Sequence, residues 1–107
     1  MKLIELDPKW LLRDGKRVGF VFRNPVRKDR GWWTSCFFDP TSDDEQEHLI
    51  EGVLGPDALC QQCNPSAGWK IVNGSPDGAD FVSISIMPSL DGGPGFWHGF
   101  ITHGEIK

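Results

Sequence analysis

Two cysteines three residues apart, Cys60 and Cys63, form the most recognisable chemical spacing in this 107-residue chain. Thiolates at i and i+3 on a turn can hold one Zn²⁺ about 2.3 Å from each sulfur. A closed structural site needs two more ligands. Cys36, His98, His103 and His48 are the candidates, and the set Cys36, Cys60, Cys63 and His98 draws on rigid strands as well as the turn. The competing reading is that these thiols are small buried hydrophobes, since free cysteine is among the most buried residue types. No second Cys-x-x-Cys supports the metal. A thioredoxin-like redox role would need a βαβ setting, and the sequence shows no such pattern around the pair.

Two charged segments invite partners. Residues 1–30 hold nine Lys/Arg against four Asp/Glu, a local balance of +5, while residues 31–107 hold two against eleven, or −9. The net charge is −4. Arg23, Arg27, Lys28 and Arg30 lie beside Trp32 and Trp33, and basic residues interleaved with aromatics can grip single-stranded nucleic acid by phosphate contact and stacking. The acidic balance of the whole chain opposes this at long range. Asp43, Asp44, Glu45 and Glu47 form the opposite feature. An acidic patch can occupy a basic groove on a nucleic-acid enzyme and block it, as a host-defence inhibitor would. The bland alternative for both is solvated surface. The acidic run lacks the alternating oxygen ligands and central glycine of a calcium loop.

His98 could share a strand face with Thr102, opposite Ser83 and Ser85. A histidine among hydroxyls can support general-base work, although a strand histidine is more commonly held by hydrogen bonds among its neighbours. No Gly-x-Ser-x-Gly and no phosphate loop is present.

These residues must be positioned by short elements. Val18 to Arg23 alternates, with Val18, Phe20 and Phe22 on one face. Trp32 to Phe38 is aromatic and β-prone and is expected to pair with it. Ser42-Asp43-Asp44-Glu45 fits a capping box opening a helix from Asp43 to about Glu51, ended by Gly52, with Leu49 and Ile50 inward. Gly55-Pro56 reads as the start of a further helical turn carrying Cys60 to Cys63. Trp69 to Val72 is a strand. Phe81 to Met87 alternates and is expected to be a half-buried strand ended by Pro88. Phe96 to Thr102 is its partner, and His103-Gly104 a two-residue type I′ turn. Leu3 to Leu6 is a short strand or extended arm. Lys9 to Leu12 is a helical turn or a short extended piece. The expected core includes Phe20, Phe22, Val82, Ile84, Ile86, Trp97 and Ile101.

Composition agrees with such a reading. Thirteen glycines and eight prolines favour turns and strands over long helices. Five tryptophans and seven phenylalanines give a bulky aromatic core. Three cysteines, an odd count, argue against a disulfide framework. No apolar run approaches the ~18 residues of a membrane span, and the acids within the N-terminal stretch argue against a signal peptide. The expectation is a single domain, residues 1–107, mainly β (α+β). It is a compact antiparallel sheet or small sandwich with one or two short helices, in the cytoplasm of the producing cell or its host.

The pieces Leu6-Asp7-Pro8-Lys9-Trp10, Val18-Gly19-Phe20-Val21-Phe22, Trp69, Ser83 to Ser89 and Trp97 to Ile106 resemble a group of small phage and prophage proteins. Those proteins end on W-H-G-F-[IV]-x-N-G-E-[VI]. The likeness covers about two thirds of the chain and is most specific at its C-terminus. Two departures stand out. Arg23-Asn24-Pro25-Val26 lies where the group carries a Cys-rich segment, and His103 replaces the turn asparagine. The resemblance implies a phage or prophage source and no particular activity. The leading functional expectation is a non-enzymatic accessory or binding protein acting on a host or phage protein. A zinc-stabilised nucleic-acid-associated module comes second and a small enzyme using His98 third.

Overall fold

The structure is a computed structural model and describes residues 1–25, 31–38, 42–62, 68–91 and 98–106. Among these residues it is mainly β, with two four-stranded sheets and one α-helix. The first sheet holds β1 (Lys9–Arg13), β2 (Lys16–Arg23), β3 (Trp32–Phe37) and β4 (Leu59–Gln62), in that order. The second holds β5 (Lys70–Ile71), β6 (Ile86–Asp91), β7 (His98–Thr102) and β8 (Glu105–Ile106), also in sequence order. All pairings are antiparallel except β3 with β4. Parallel neighbours need a long crossover, and helix α1 (Asp43–Leu54) lies within it.

Alternation along the strands divides the core in two. Phe20, Phe22 and Cys36 face the second sheet, where they meet Trp69, Ile84, Ile86, Ile101 and Ile106. Ile71, Ile86, Ile101 and Ile106 are register partners, one isoleucine on each strand of the second sheet. β-branched cross-strand neighbours of this kind are the unit of sheet stability. The other face of the first sheet carries Leu11, Val21, Trp33 and Phe37, which α1 covers with Ile50, Leu49 and Leu54. The layers therefore run helix, sheet, sheet. Each buried aliphatic or phenyl side chain contributes about 1.5–3 kcal/mol.

Several expected elements are confirmed in place. β2 and β3 pair antiparallel, with Phe20 opposite Cys36 and Phe22 opposite Thr34. His103-Gly104 turns with positive φ at both positions, as the expected type I′ hairpin requires, and Asp14-Gly15 between β1 and β2 has the same signs. Phe20, Phe22, Ile84, Ile86 and Ile101 are buried; Trp97 lies outside the described residues.

Other elements differ. Phe81 to Ser83 forms a turn, and the strand begins only at Ile86. The Oδ1 of Asp80 accepts from the backbone N–H groups of Val82 and Ser83 at 3.0 and 2.9 Å and from the Ser83 hydroxyl at 2.9 Å. That side-chain bonding offers the backbone an alternative to a ladder. Val82 is consequently 66% exposed instead of part of the core. Pro88 does not end β6; the register to β7 shifts between Ile86 and Leu90 instead, which is how a strand tolerates a missing donor. Leu3–Leu6 is a 3₁₀ helix whose Leu3 and Leu6 enter the inter-sheet core, and Lys9–Arg13 is a strand. α1 continues past Gly52 to Leu54 and ends at Gly55. Gly55 to Cys60 leads into strand β4, not a second helical turn. Val18 packs on the helix side with Leu11 and Val21, because a register irregularity lies between Leu11 and Leu12 where β1 pairs with β2.

Candidate partner-binding site on helix α1

Ser42 begins the helix. Its side-chain oxygen accepts from the backbone N–H of Glu45 at 3.2 Å, satisfying one of the orphan donors of the first turn. The carboxylate of Glu45 accepts from Arg13 of β1 and ties the helix to the sheet edge. Gln46 and Ile50 point inward, Gln46 only 1% exposed. The Gln46 Nε2 has no hydrogen-bond partner among the described residues. Asp44, Glu47 and Glu51 are exposed and recur at three- and four-residue spacing, so they share the outer face. Among the described residues none of these three forms an ion pair. The last turn of α1 carries no basic residue, so nothing on the helix offsets the partial negative charge at its C-terminus.

A cavity of about 460 Å³ opens beside that end. Glu47, Ile50 and Glu51 of α1 line one side, and Pro56, Ala58 and Cys60 the other. Burial pushes the Cys60 thiol up to about 12, against a smaller opposing effect of a hydrogen bond with Ser35. The group is therefore a neutral thiol near neutrality, the reverse of the depressed pKa of a reactive cysteine. β3, α1 and β4 do form a βαβ unit, contrary to the sequence expectation, but its cysteine has the wrong electrostatics for redox exchange.

Two of the candidate metal ligands, Cys36 and Cys60, lie on opposite faces of the first sheet. Cys36 lies in the core between the sheets, whereas Cys60 packs with Trp33 on the helix side. Cys60 is the register partner of Trp33, so its side chain leaves the sheet on the face opposite Cys36. Cys63 lies outside the described residues, and so does the side chain of His98, whose backbone opens β7. Among the described residues no three His, Cys, Asp or Glu side chains gather to hold a metal ion.

Two of the hydroxyls expected around His98, those of Ser83 and Ser85, have other partners. Ser83 donates to Asp80 at 2.9 Å, and the Ser85 Oγ accepts from the backbone N–H of His103 at 2.8 Å. In the basic segment, the Arg23 guanidinium lies 4.7 Å from the centre of the Trp33 ring. Trp33 itself is buried under α1, so its face is not presented to a base. Trp32 is half-buried at the start of β3. Arg27, Lys28 and Arg30 lie outside the described residues.

Of the acidic candidates, Asp43 opens α1, Asp44 and Glu47 are exposed, and Glu45 is half-buried. Sequence reasoning missed Glu51 as part of the same face. The i, i+3, i+7 spacing of Asp44, Glu47 and Glu51 was the available signal. No known protein family matches the chain, and no curated protein or solved structure matches it either.

Proposed function

We propose that this chain is a small non-enzymatic binding protein of phage or prophage origin. It engages a basic surface on a host or phage protein through the outer face of α1, as an inhibitor of a host-defence protein would. The observation that carries this reading is the row Asp44, Glu47 and Glu51, exposed on a helix that is capped by Ser42 and anchored to β1 through Glu45 and Arg13. Such a surface is held in place before any partner arrives, which lowers the ordering cost of association. Complementary charge then steers encounter and fixes register. The likeness of the C-terminal hairpin to phage proteins supports the origin.

The test is capture of a partner from a bacterial lysate by the tagged chain. Wild-type protein is expected to retain a partner that is released by salt. The triple reversal Asp44→Lys, Glu47→Lys, Glu51→Lys is expected to lose it while melting at nearly the same temperature. Equal capture by both proteins, or salt-insensitive capture, refutes the reading.

A further inference from the structure

We infer that the cavity at the C-terminal end of α1 is a socket for a single arginine side chain from the protein partner. This rests on the reading of α1 as a partner surface and names the anchor within it. The cavity volume, about 460 Å³, falls within the ordinary range for ligand pockets. Its chemistry is divided. Ile50, Pro56, Ala58 and Cys60 supply apolar lining, and the exposed Glu47 and Glu51 supply two carboxylates. The two carboxylates are one helical turn apart, with Cβ atoms about 6 Å from each other.

A ligand that suits both halves needs an aliphatic stem and a cationic head. Arginine has both, because its methylenes cover apolar surface while the guanidinium remains at the rim. Its five N–H donors in a planar fork can serve two carboxylates at once. Lysine would bring a more strongly hydrated point charge with no such fork. The helix contributes in the same direction. The carbonyls of its last turn carry partial negative charge, and no basic side chain in that turn competes. The Cys60 thiol in the lining adds no charge, since burial keeps it protonated. Asp44 lies on the same helix face but outside the cavity lining. It adds to the long-range field without touching the occupant.

The acids of α1 divide their roles. Glu45 is spent on Arg13 and holds the helix, while Glu47 and Glu51 are left for the ligand. Anchors of this kind, a long side chain entering a partly desolvated pocket, dominate many interfaces, and arginine is enriched among them.

The probe is N-acetyl-arginine amide, titrated into the full chain labelled with ¹⁵N and followed by amide shifts. Saturable shifts are expected at Gly55, Ala58 and Cys60. N-acetyl-citrulline amide, the neutral isostere, should produce none. Glu47→Gln with Glu51→Gln should raise the apparent Kd by about tenfold, the loss expected of one charge-assisted interaction. Ala58→Phe, which fills the cavity without changing charge, should abolish the shifts.

Equal response to citrulline overturns the assignment, as does an unchanged Kd in the double glutamine variant. Saturation by spermidine at lower concentration than by the arginine probe would give the cavity to a free polyamine and also overturn it. Because the probe needs no partner, a failed titration removes the socket and leaves the capture experiment standing. A failed capture leaves the titration standing in turn.

Discussion

Gly104 sits so close to Val82 that a Cβ on the glycine would lie 2.1 Å from the Val82 carbonyl oxygen. The two residues join the C-terminal hairpin to the turn that precedes β6. Gly104 also donates its N–H to Ile84 and accepts from Leu3, at 2.8 and 2.7 Å. Its φ is +73°, a conformation that costs an L-residue about 1–2 kcal/mol. Gly104→Ala therefore meets strain and a backbone collision together, and nothing flexible can move aside. Gly15, at φ +80°, has nothing within 4 Å of a built Cβ. In urea unfolding, Gly15→Ala should lose about 1 kcal/mol, the conformational cost alone. Gly104→Ala should lose clearly more, and equal losses would show that the contact with Val82 is not maintained in solution.

The hairpin that Gly104 closes was legible because its turn chemistry is local. A glycine after a two-residue break between apolar pairs states the geometry by itself. β2 and β3 were legible for a similar reason, since the alternation of Phe20 and Phe22 and the aromatic, β-prone run from Trp32 need no distant information. The segment from Asp80 to Met87 misled because Val82, Ile84 and Ile86 alternate in sequence. Asp80 claims the amides of Val82 and Ser83 first, so the first half of the alternation is consumed by a turn. β4 was hidden for a different reason. Leu59-Cys60-Gln61-Gln62 contains no β-branched or aromatic residue, and its strand state comes from pairing with β3. The acidic face of α1 could be read from spacing. The cavity beside it could not, because its second wall arrives only when the crossover returns to the sheet.

Arg17 holds the loop before β6 against the first sheet. Its guanidinium lies 4.3 Å from the centre of the Trp10 ring, and Nη1 donates to the carbonyls of Pro76 and Ala79 at 3.1 and 2.9 Å. Trp10 in turn stacks on Phe81 with ring centroids 4.3 Å apart. A lysine cannot reproduce the planar contact and the forked donation together. Arg17→Lys should cost about 1–2 kcal/mol in denaturant unfolding, within the range for hydrogen bonds to charged groups. It should also speed proteolysis between residues 73 and 80. A loss below a few tenths of a kcal/mol would mean that the loop is held by other contacts.

Asp80 makes a pH-dependent contribution whose sign is fixed. The Ser83 hydroxyl, then the Ser83 and Val82 amides, hold its carboxyl below the ordinary value of 3.8. A depressed folded value means that the ionised form is favoured in the native state. The contribution is complete above about 3.8 and is lost as pH falls through the lower folded value. Asp80→Asn should remove that component. Melting temperatures of wild type and variant, compared from pH 6 down to pH 2, should converge at the acid end. A constant difference across the range would assign the effect to something other than titration of Asp80.

Cys60 shows the opposite linkage, at the alkaline end. Its thiol is raised from an ordinary 9.0 to about 12 by burial. Below pH 9 the group is protonated in both native and unfolded chains, so it adds no pH dependence there. Between about 9 and about 12 the unfolded chain releases its proton while the native one retains it. Stability then falls as pH rises, because the native state binds more protons. Cys60→Ala should flatten this decline between pH 8.5 and 10.5 in urea-midpoint measurements, whatever it does to stability at pH 7. Alkylation reports the same burial independently. At pH 8 the native thiol should react with iodoacetamide far more slowly than the denatured chain, since the thiolate is the nucleophile. Rapid native modification at Cys60, read by mass spectrometry, together with an unflattened pH profile in the alanine variant, would show that the wall of the cavity is open to solvent.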